Sequence, residues 1–207
     1  MFSRFSFRQT AGLAVLSTLL GACWPGGDFG RDAFGDRGVA TPKEVLRARA
    51  EVAGEGITGN ALLIEYAIGD GRVVKVILNV KGDPTVLTPG LHGVHVHSVG
   101  VCEAPFKSAG GHFDPGPAGN TDPDVNHPYH LGDLPNLAVS AAGEGHLYAY
   151  TNRFTLSEGP LSVFDTDGSA LIIHKQPDLG ISGAPQSGVA GGARIACGVI
   201  RRLGSQP

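Results

Sequence analysis

Two stretches of the chain, Ser98 to Leu134 and Lys175 to Ala193, are too rich in glycine, proline and aspartate to hold a helix or a long strand. Loops of that length inside a compact domain are usually functional, so the rest of the chain must supply the scaffold and the loops are where chemistry is sought. The flanking segments read as strands: Ala61 to Ile68, the hairpin pair Asp70-Gly71, Val73 to Val80, His146 to Thr151 and Ala170 to His174. No amphipathic helix of useful length stands among them. Composition agrees, because 32 glycines and 14 prolines in 207 residues suit turns and bulges and weaken helices. A short-stranded, loop-rich β domain is expected. The formal charge of −3 lacks the basic excess of a nucleic-acid binder, so no nucleic acid is expected as partner.

At the N-terminus, Arg4 and Arg8 precede an apolar run from Ala11 to Leu20 that ends in small residues, the pattern of a secretory signal peptide. It is too short to span a membrane permanently. The sequence Leu20-Gly21-Ala22-Cys23 resembles a bacterial lipobox, in which the signal is cut before a cysteine that then carries lipid. The expected organisation is a lipoprotein signal peptide at 1–22, a flexible tether at 23–48 with one helical turn at Pro42 to Arg47, and a folded domain at 49–207. Cleavage would remove two bases and no acids, taking the formal charge from −3 to −5. Export points to the bacterial periplasm or cell envelope, with membrane contact only through Cys23. It leaves Cys102 and Cys197 as a pair in a compartment that permits disulfides.

Six of the eight histidines fall in or beside the two loops. His95 and His97 belong to Gly90-Leu91-His92-Gly93-Val94-His95-Val96-His97; two residues apart on a strand, they point to one face about 6.6 Å apart and can converge on one metal. His112 follows in Gly110-Gly111-His112-Phe113-Asp114-Pro115, then His127, His130 and Asp133 in the next loop segment, and His174 ends an apolar strand. Imidazoles with a single carboxylate and no thiolate suit copper and zinc, whereas calcium and magnesium want oxygen ligands. One histidine alone is more often a satisfied polar residue, but six with a carboxylate on loops are hard to read that way.

In these segments the sequence resembles the copper/zinc superoxide dismutase family, from about residue 60 to 200. The resemblance is carried by GLHGVHVH, GGHFDP, HLGDLP, the IIHKQPD run and the segment Ala193 to Ile200, five motifs in the family's order with Cys102 in the first loop. The HLGDLP form and the export signal are similar to the bacterial periplasmic branch. The resemblance implies a flattened Greek-key β-barrel of eight antiparallel strands. It implies copper on His95, His97, His112 and His174, zinc on His112, His130 and Asp133, and His112 as the imidazolate shared between them. His127 is the candidate for the remaining zinc position, with Asp122 and Asp124 as alternatives, since a zinc site wants four ligands. Asp178 matches a carboxylate that hydrogen-bonds ligand imidazoles of both metals and fixes their rings.

The implied reaction is dismutation of superoxide to dioxygen and hydrogen peroxide by copper redox cycling, with His112 taking a proton in the reduced state and zinc structural. Arg194 matches the arginine that draws the anion to copper, and Lys107 is a further candidate for steering. His92 matches a position that hydrogen-bonds within the barrel and binds no metal, and His146 is expected to face solvent. Metallo-β-lactamase-like and cupin readings of His-x-His lack their companion residues, because Ser98 and Val99 follow His97 and Glu103 stands six residues on. A non-enzymatic copper-binding or zinc-stabilised envelope lipoprotein is the alternative function.

Overall fold

The structure is a computed structural model that describes residues 41–116 and 119–204. The expected signal peptide, Cys23 and the expected tether up to residue 40 lie outside the described residues. Among those described, the only helical element is a three-residue 3-10 turn, η1 at Lys107–Ala109. Ten strands carry the fold: β1 Lys43–Gly54, β2 Ile57–Ile68, β3 Gly71–Gly82, β4 Gly90–His92, β5 Val94–His97, β6 Leu137–Val139, β7 Glu144–Thr151, β8 Ala170–His174, β9 Arg194–Val199 and β10 Arg201–Arg202. They pair antiparallel in the order β4-β6-β7-β3-β2-β1-β9-β8-β5, with β10 beside β1. The two ends of that path, β4 and β5, are one stretch of chain interrupted at Gly93, so the sheet closes on itself. Counted that way there are eight strands and a short addition.

The first strand corrects the expected domain boundary. Residues 43–48 were expected to be tether with a helical turn, yet they form the first half of β1 and pair with β2 from Lys43↔Ala67 to Gly54↔Ile57. Lys, Glu, Leu, Arg and Ala favour a helix locally, but the alternation that buries Ala48, Ala50 and Val52 and exposes Arg47, Arg49 and Glu51 has a period of two. Burial of that face against the core decides the outcome. The β2–β3 hairpin turns at Gly69-Asp70, one residue before the expected Asp70-Gly71 pair, because Gly69 takes the left-handed conformation at φ +57° and Gly71 already pairs with Ile68.

Inward side chains from all the long strands form one core, including Leu63, Val76, Leu78, Val94, Val96, Phe154, Leu171 and Ile173. A smaller apolar cluster of Ala109, Ala170, Ile172 and Cys197, with Cys102 and Phe106 packed on it, surrounds the disulfide Cys102–Cys197. That bond closes a loop of 95 residues and stabilises by roughly 4–5 kcal/mol as an upper guide from chain entropy. Glu65, fully buried, has no counterpart in the sequence reading. Its Oε2 accepts from the Leu156 amide at 3.0 Å, the Ser157 amide at 2.6 Å and the Ser157 hydroxyl at 2.9 Å, and so fastens the β7–β8 connection to the barrel.

Candidate metal centre and its loops

Strand register places the first ligand candidates. In β5 both His95 and His97 are fully buried, opposite Ile172 and Ala170 of β8, and β8 ends in His174. His112 joins them because its loop runs beside β5: the Phe113 amide donates to Val96 O at 2.9 Å, and the Val96 amide donates to Gly132 O at 2.8 Å. Phe113 is buried in the core, which is worth about 2–3 kcal/mol for a phenyl ring, and it anchors the segment that carries His112. Gly132 of HLGDLP is required at this crossing, since any side chain there would collide with the Val96 carbonyl.

One ligand nitrogen from each of His95, His97, His112 and His174 lies within 4.8 Å of those of the other three. Each ring spends one nitrogen on an acceptor. His97 Nδ1 donates to Gly110 O at 3.1 Å and His174 Nδ1 to Gly192 O at 3.0 Å, while His95 Nε2 faces Asp178 Oδ2 at 3.0 Å and His112 Nδ1 faces Asp133 Oδ1 at 2.7 Å. The other nitrogen of each, His95 Nδ1 and Nε2 of His97, His112 and His174, is buried without a partner. Four such orphans on neighbouring rings are costly unless something accepts their lone pairs, and a metal ion does. Burial also lowers the affinity of all four rings for protons, holding His97 and His174 well below the ordinary histidine value and His112 at about 3, where competition with the adjacent His95 ring for a proton adds to the effect. Neutral imidazoles are the form that binds metal.

A second group forms around Asp133. Its carboxylate is within 2.7 Å of His112 Nδ1 and 3.2 Å of both His127 Nδ1 and His130 Nδ1, and it accepts from the His130 amide at 3.0 Å. Three imidazole nitrogens and one carboxylate match the donor set of a tetrahedral zinc ion. Ligand atoms of His95, His112, His127 and Asp133 also fall within 4.8 Å of one another, so the two groups overlap. His112 belongs to both, with Nδ1 turned to Asp133 and Nε2 left free. The structure brings His127 into this group, with Nδ1 3.2 Å from Asp133 Oδ2. Asp122 and Asp124 do not reach this group; Asp122 Oδ1 caps the Asp124 amide, and Asp124 binds two amides of the second loop.

Asp178 ties the groups together, with Oδ2 at 3.0 Å from His95 Nε2 and Oδ1 at 2.6 Å from His127 Nε2. Burial opposes charge on His127, but the Asp133 carboxylate beside Nδ1 and the hydrogen bond to Asp178 outweigh it and raise its pKa to about 9. Both carboxylates, despite burial, are held below the usual carboxylate range by the histidines that donate to them. Without metal, the proton on His127 supplies the positive charge between two anions. Asn136 completes the support by exchanging two hydrogen bonds of 2.9 Å with the Asp178 backbone. Sequence reasoning missed Asn136, because an asparagine after HLGDLP carries no signal until the second loop is folded against it.

A sequence profile described as copper/zinc superoxide dismutase matches residues 57–200. The chain belongs to that family. It is 40% identical over 124 residues to "Superoxide dismutase [Cu-Zn] 1" of Salmonella typhimurium, an alignment covering 56% of this chain and 66% of that protein. It is 36% identical over 159 residues to "Superoxide dismutase [Cu-Zn]" of Caulobacter vibrioides, covering 72% and 82%. A double mutant of a SOD-like protein from Bacillus subtilis superposes with a TM-score of 0.55 at 32% identity, covering 72% of this chain and 94% of that one. Copper and zinc are the family's metals, and the two donor sets fit them.

Arg194 opens β9 opposite His174, across a register shift between Ile173 and His174. Its Nη1 donates to Phe106 O and its Nη2 to Gly110 O, both at 2.7 Å. Gly110 O therefore receives both Arg194 and the imidazole of His97, and the disulfide loop fixes the guanidinium beside the copper candidates. Partial burial lowers its pKa, yet a guanidinium stays charged at any working pH. Arg194, His174 and Lys107 line one open cleft of about 730 Å³. His92 is buried and makes the internal hydrogen bonds expected of it, with Nδ1 at 2.8 Å from His174 O and Nε2 at 2.7 Å from Thr88 O, and His146 faces solvent beside Asn79, as expected.

Proposed function

We propose that the protein dismutates superoxide, with copper on His95, His97, His112 and His174, and zinc on His112, His127, His130 and Asp133. The observation that carries this is the set of four buried, unpartnered imidazole nitrogens on rings whose other nitrogens are bonded, beside a cleft whose wall holds Arg194. Copper supplies the one-electron couple by which one superoxide leaves as dioxygen and a second, with two protons, as hydrogen peroxide. The protein's residues hold, orient and charge the site. His97 and His174 keep their Nδ1 protons on carbonyls, which presents Nε2 lone pairs to the metal. His112 is placed between the groups, so its Nε2 can hold a proton while Asp133 keeps the ring aligned through Nδ1. Arg194 offers a fixed positive charge to a small anion entering the cleft, and Lys107 adds to the field at the rim.

The site of action we propose is the bacterial envelope, with lipid on Cys23 as the anchor. Support comes from the charged and apolar pattern of the first 22 residues and from a disulfide suited to an oxidising compartment. The deciding experiment is metal analysis of purified protein combined with a superoxide consumption assay. One copper and one zinc per chain with rapid superoxide loss is the expected result. Full metal content without superoxide loss would leave a copper-binding envelope protein.

A further inference from the structure

Asp124 is a buried carboxylate that neither ligand set uses. It is 5% exposed, and both of its oxygens are committed to the second long loop: Oδ2 accepts from the Gly188 amide at 2.9 Å and Oδ1 from the Ala190 amide at 3.0 Å. Its carbonyl accepts from the Gly183 amide at 2.7 Å. On the other side its amide donates to Asp122 Oδ1 at 3.1 Å, the Asp122 amide donates to Asn120 Oδ1 and the Asn120 amide to Asp114 Oδ2, each at 3.0 Å. A chain of side-chain-capped turns thus runs from just after His112 to the segment Gly188–Gly192.

That segment is what holds His174. The Gly191 amide donates to Gly188 O at 3.2 Å, the Gln176 amide donates to Gly191 O at 3.1 Å, and Gly192 O accepts the Nδ1 proton of His174 at 3.0 Å. Gly191, at φ +97°, lies so close to His174 that a Cβ there would stand 2.7 Å from the histidine Cβ. The ring therefore packs on this backbone, and its tautomer is set by a carbonyl of the same turn. A carboxylate accepting from two amides makes charge-assisted bonds, about twice as strong as neutral ones.

We propose that Asp124 is a positioning residue for copper: by clamping the Gly188–Gly192 turn it fixes the orientation of His174. The clamp is built from the loop that carries His127 and His130. His127 is three residues beyond Asp124, and its carbonyl accepts from the Ser182 hydroxyl at 2.7 Å. The arrangement of the zinc loop is thereby passed to a copper ligand through backbone rather than through the shared His112 ring. The proposal rests on the copper assignment above, but it is read through metal binding and amide exchange rather than turnover.

The test compares Asp124→Asn and Asp124→Ala with the parent in the full chain loaded with copper and zinc. Hydrogen exchange at Gly188 and Ala190 should accelerate by roughly 10-fold or more, the Cu(II) EPR spectrum should change, and copper affinity should fall about 10- to 100-fold, with zinc content unchanged. Asparagine keeps one acceptor oxygen, so its effects should be the smaller. Loss of zinc with an unchanged copper spectrum would overturn the proposal, as would unchanged exchange and spectrum in both variants. If neither variant folds, exchange in the parent decides: Gly188 and Ala190 amides as fast as open-loop amides would show that no clamp exists, and strong protection would support it. A parent that binds copper but consumes no superoxide defeats the dismutase reading and leaves the clamp standing.

Discussion

The two proposed ligand sets are built from different materials. His95, His97 and His174 sit on β5 and β8, where strand register and core packing place the rings and backbone carbonyls of Gly110 and Gly192 turn two of them. His127, His130 and Asp133 sit in a loop, and what gathers them is charge: Asp133 faces three imidazoles and Asp178 braces His127 from the other side. The strand set is a group of neutral rings kept neutral by burial. The loop set is an ion cluster whose histidine is protonated when no metal is present. The copper set is therefore expected to be in place before metal arrives, and the zinc set to depend on the charge it encloses.

The strongest way to break this contrast is to remove one ligand from each side. His97→Ala should abolish dismutation while leaving a folded protein that binds zinc, whereas His127→Ala should lower zinc occupancy more than copper. Metal content and superoxide consumption check both variants. Full activity of His97→Ala with one copper per chain, or full zinc in His127→Ala, would show that the sets are not divided as drawn.

Arg194 sharpens the comparison, since its guanidinium is fastened to Phe106 O and Gly110 O and makes no hydrogen bond to a side chain of either proposed ligand set. Arg194→Ala should leave both metals bound and lower the rate, within the roughly 10- to 1000-fold range of charge steering. Arg194→Glu should lower it further, and Arg194→Lys should restore part of it, because lysine returns the charge without the planar fork. The parent should slow as salt rises, screening reaching about 8 Å at physiological ionic strength, and Arg194→Ala should respond less steeply. A variant with parental rate and salt slope would assign the guanidinium a structural role.

The smallest effect is in the metal-free protein. A histidine whose pKa rises from about 6.5 unfolded to about 9 folded adds stability that is fully present below pH 6.5 and is lost as pH climbs through 9. Denaturant midpoints of the metal-free parent should therefore decline over that window, and His127→Ala should flatten the decline. A profile unaffected by the substitution would mean that the loop set is not held by charge.

Much of the fold was legible because alternation and turn chemistry are local. Strands β3 and β7 follow from period-two burial, β8 from an unbroken apolar run that is buried throughout, and the β2–β3 hairpin from a glycine-bearing turn that the sequence places within one residue, while the histidine motifs announced a metal centre through residue type alone. The start of β1 was misread because Lys43 to Ala48 has helical propensity and only modest strand propensity. Propensity is a property of a segment, while the strand exists because β2 pairs along its whole length and β10 and β9 meet its other edge at Ala48–Arg49 and Ala53.

By itself, then, the sequence determined the β class and the donor chemistry of the centre, and it offered Cys102 and Cys197 as a pair that the structure joins. Only the tertiary structure decided that Asp133 gathers three rings, that Asn136 and Asp178 brace one another, and that Asp124 faces Gly188 and Ala190 rather than a ligand set. The physical reason is that these bonds join residues up to 66 positions apart. Each partner is an ordinary loop residue, and its role arises when the closed barrel brings two loops to one end and leaves their buried polar groups to satisfy one another.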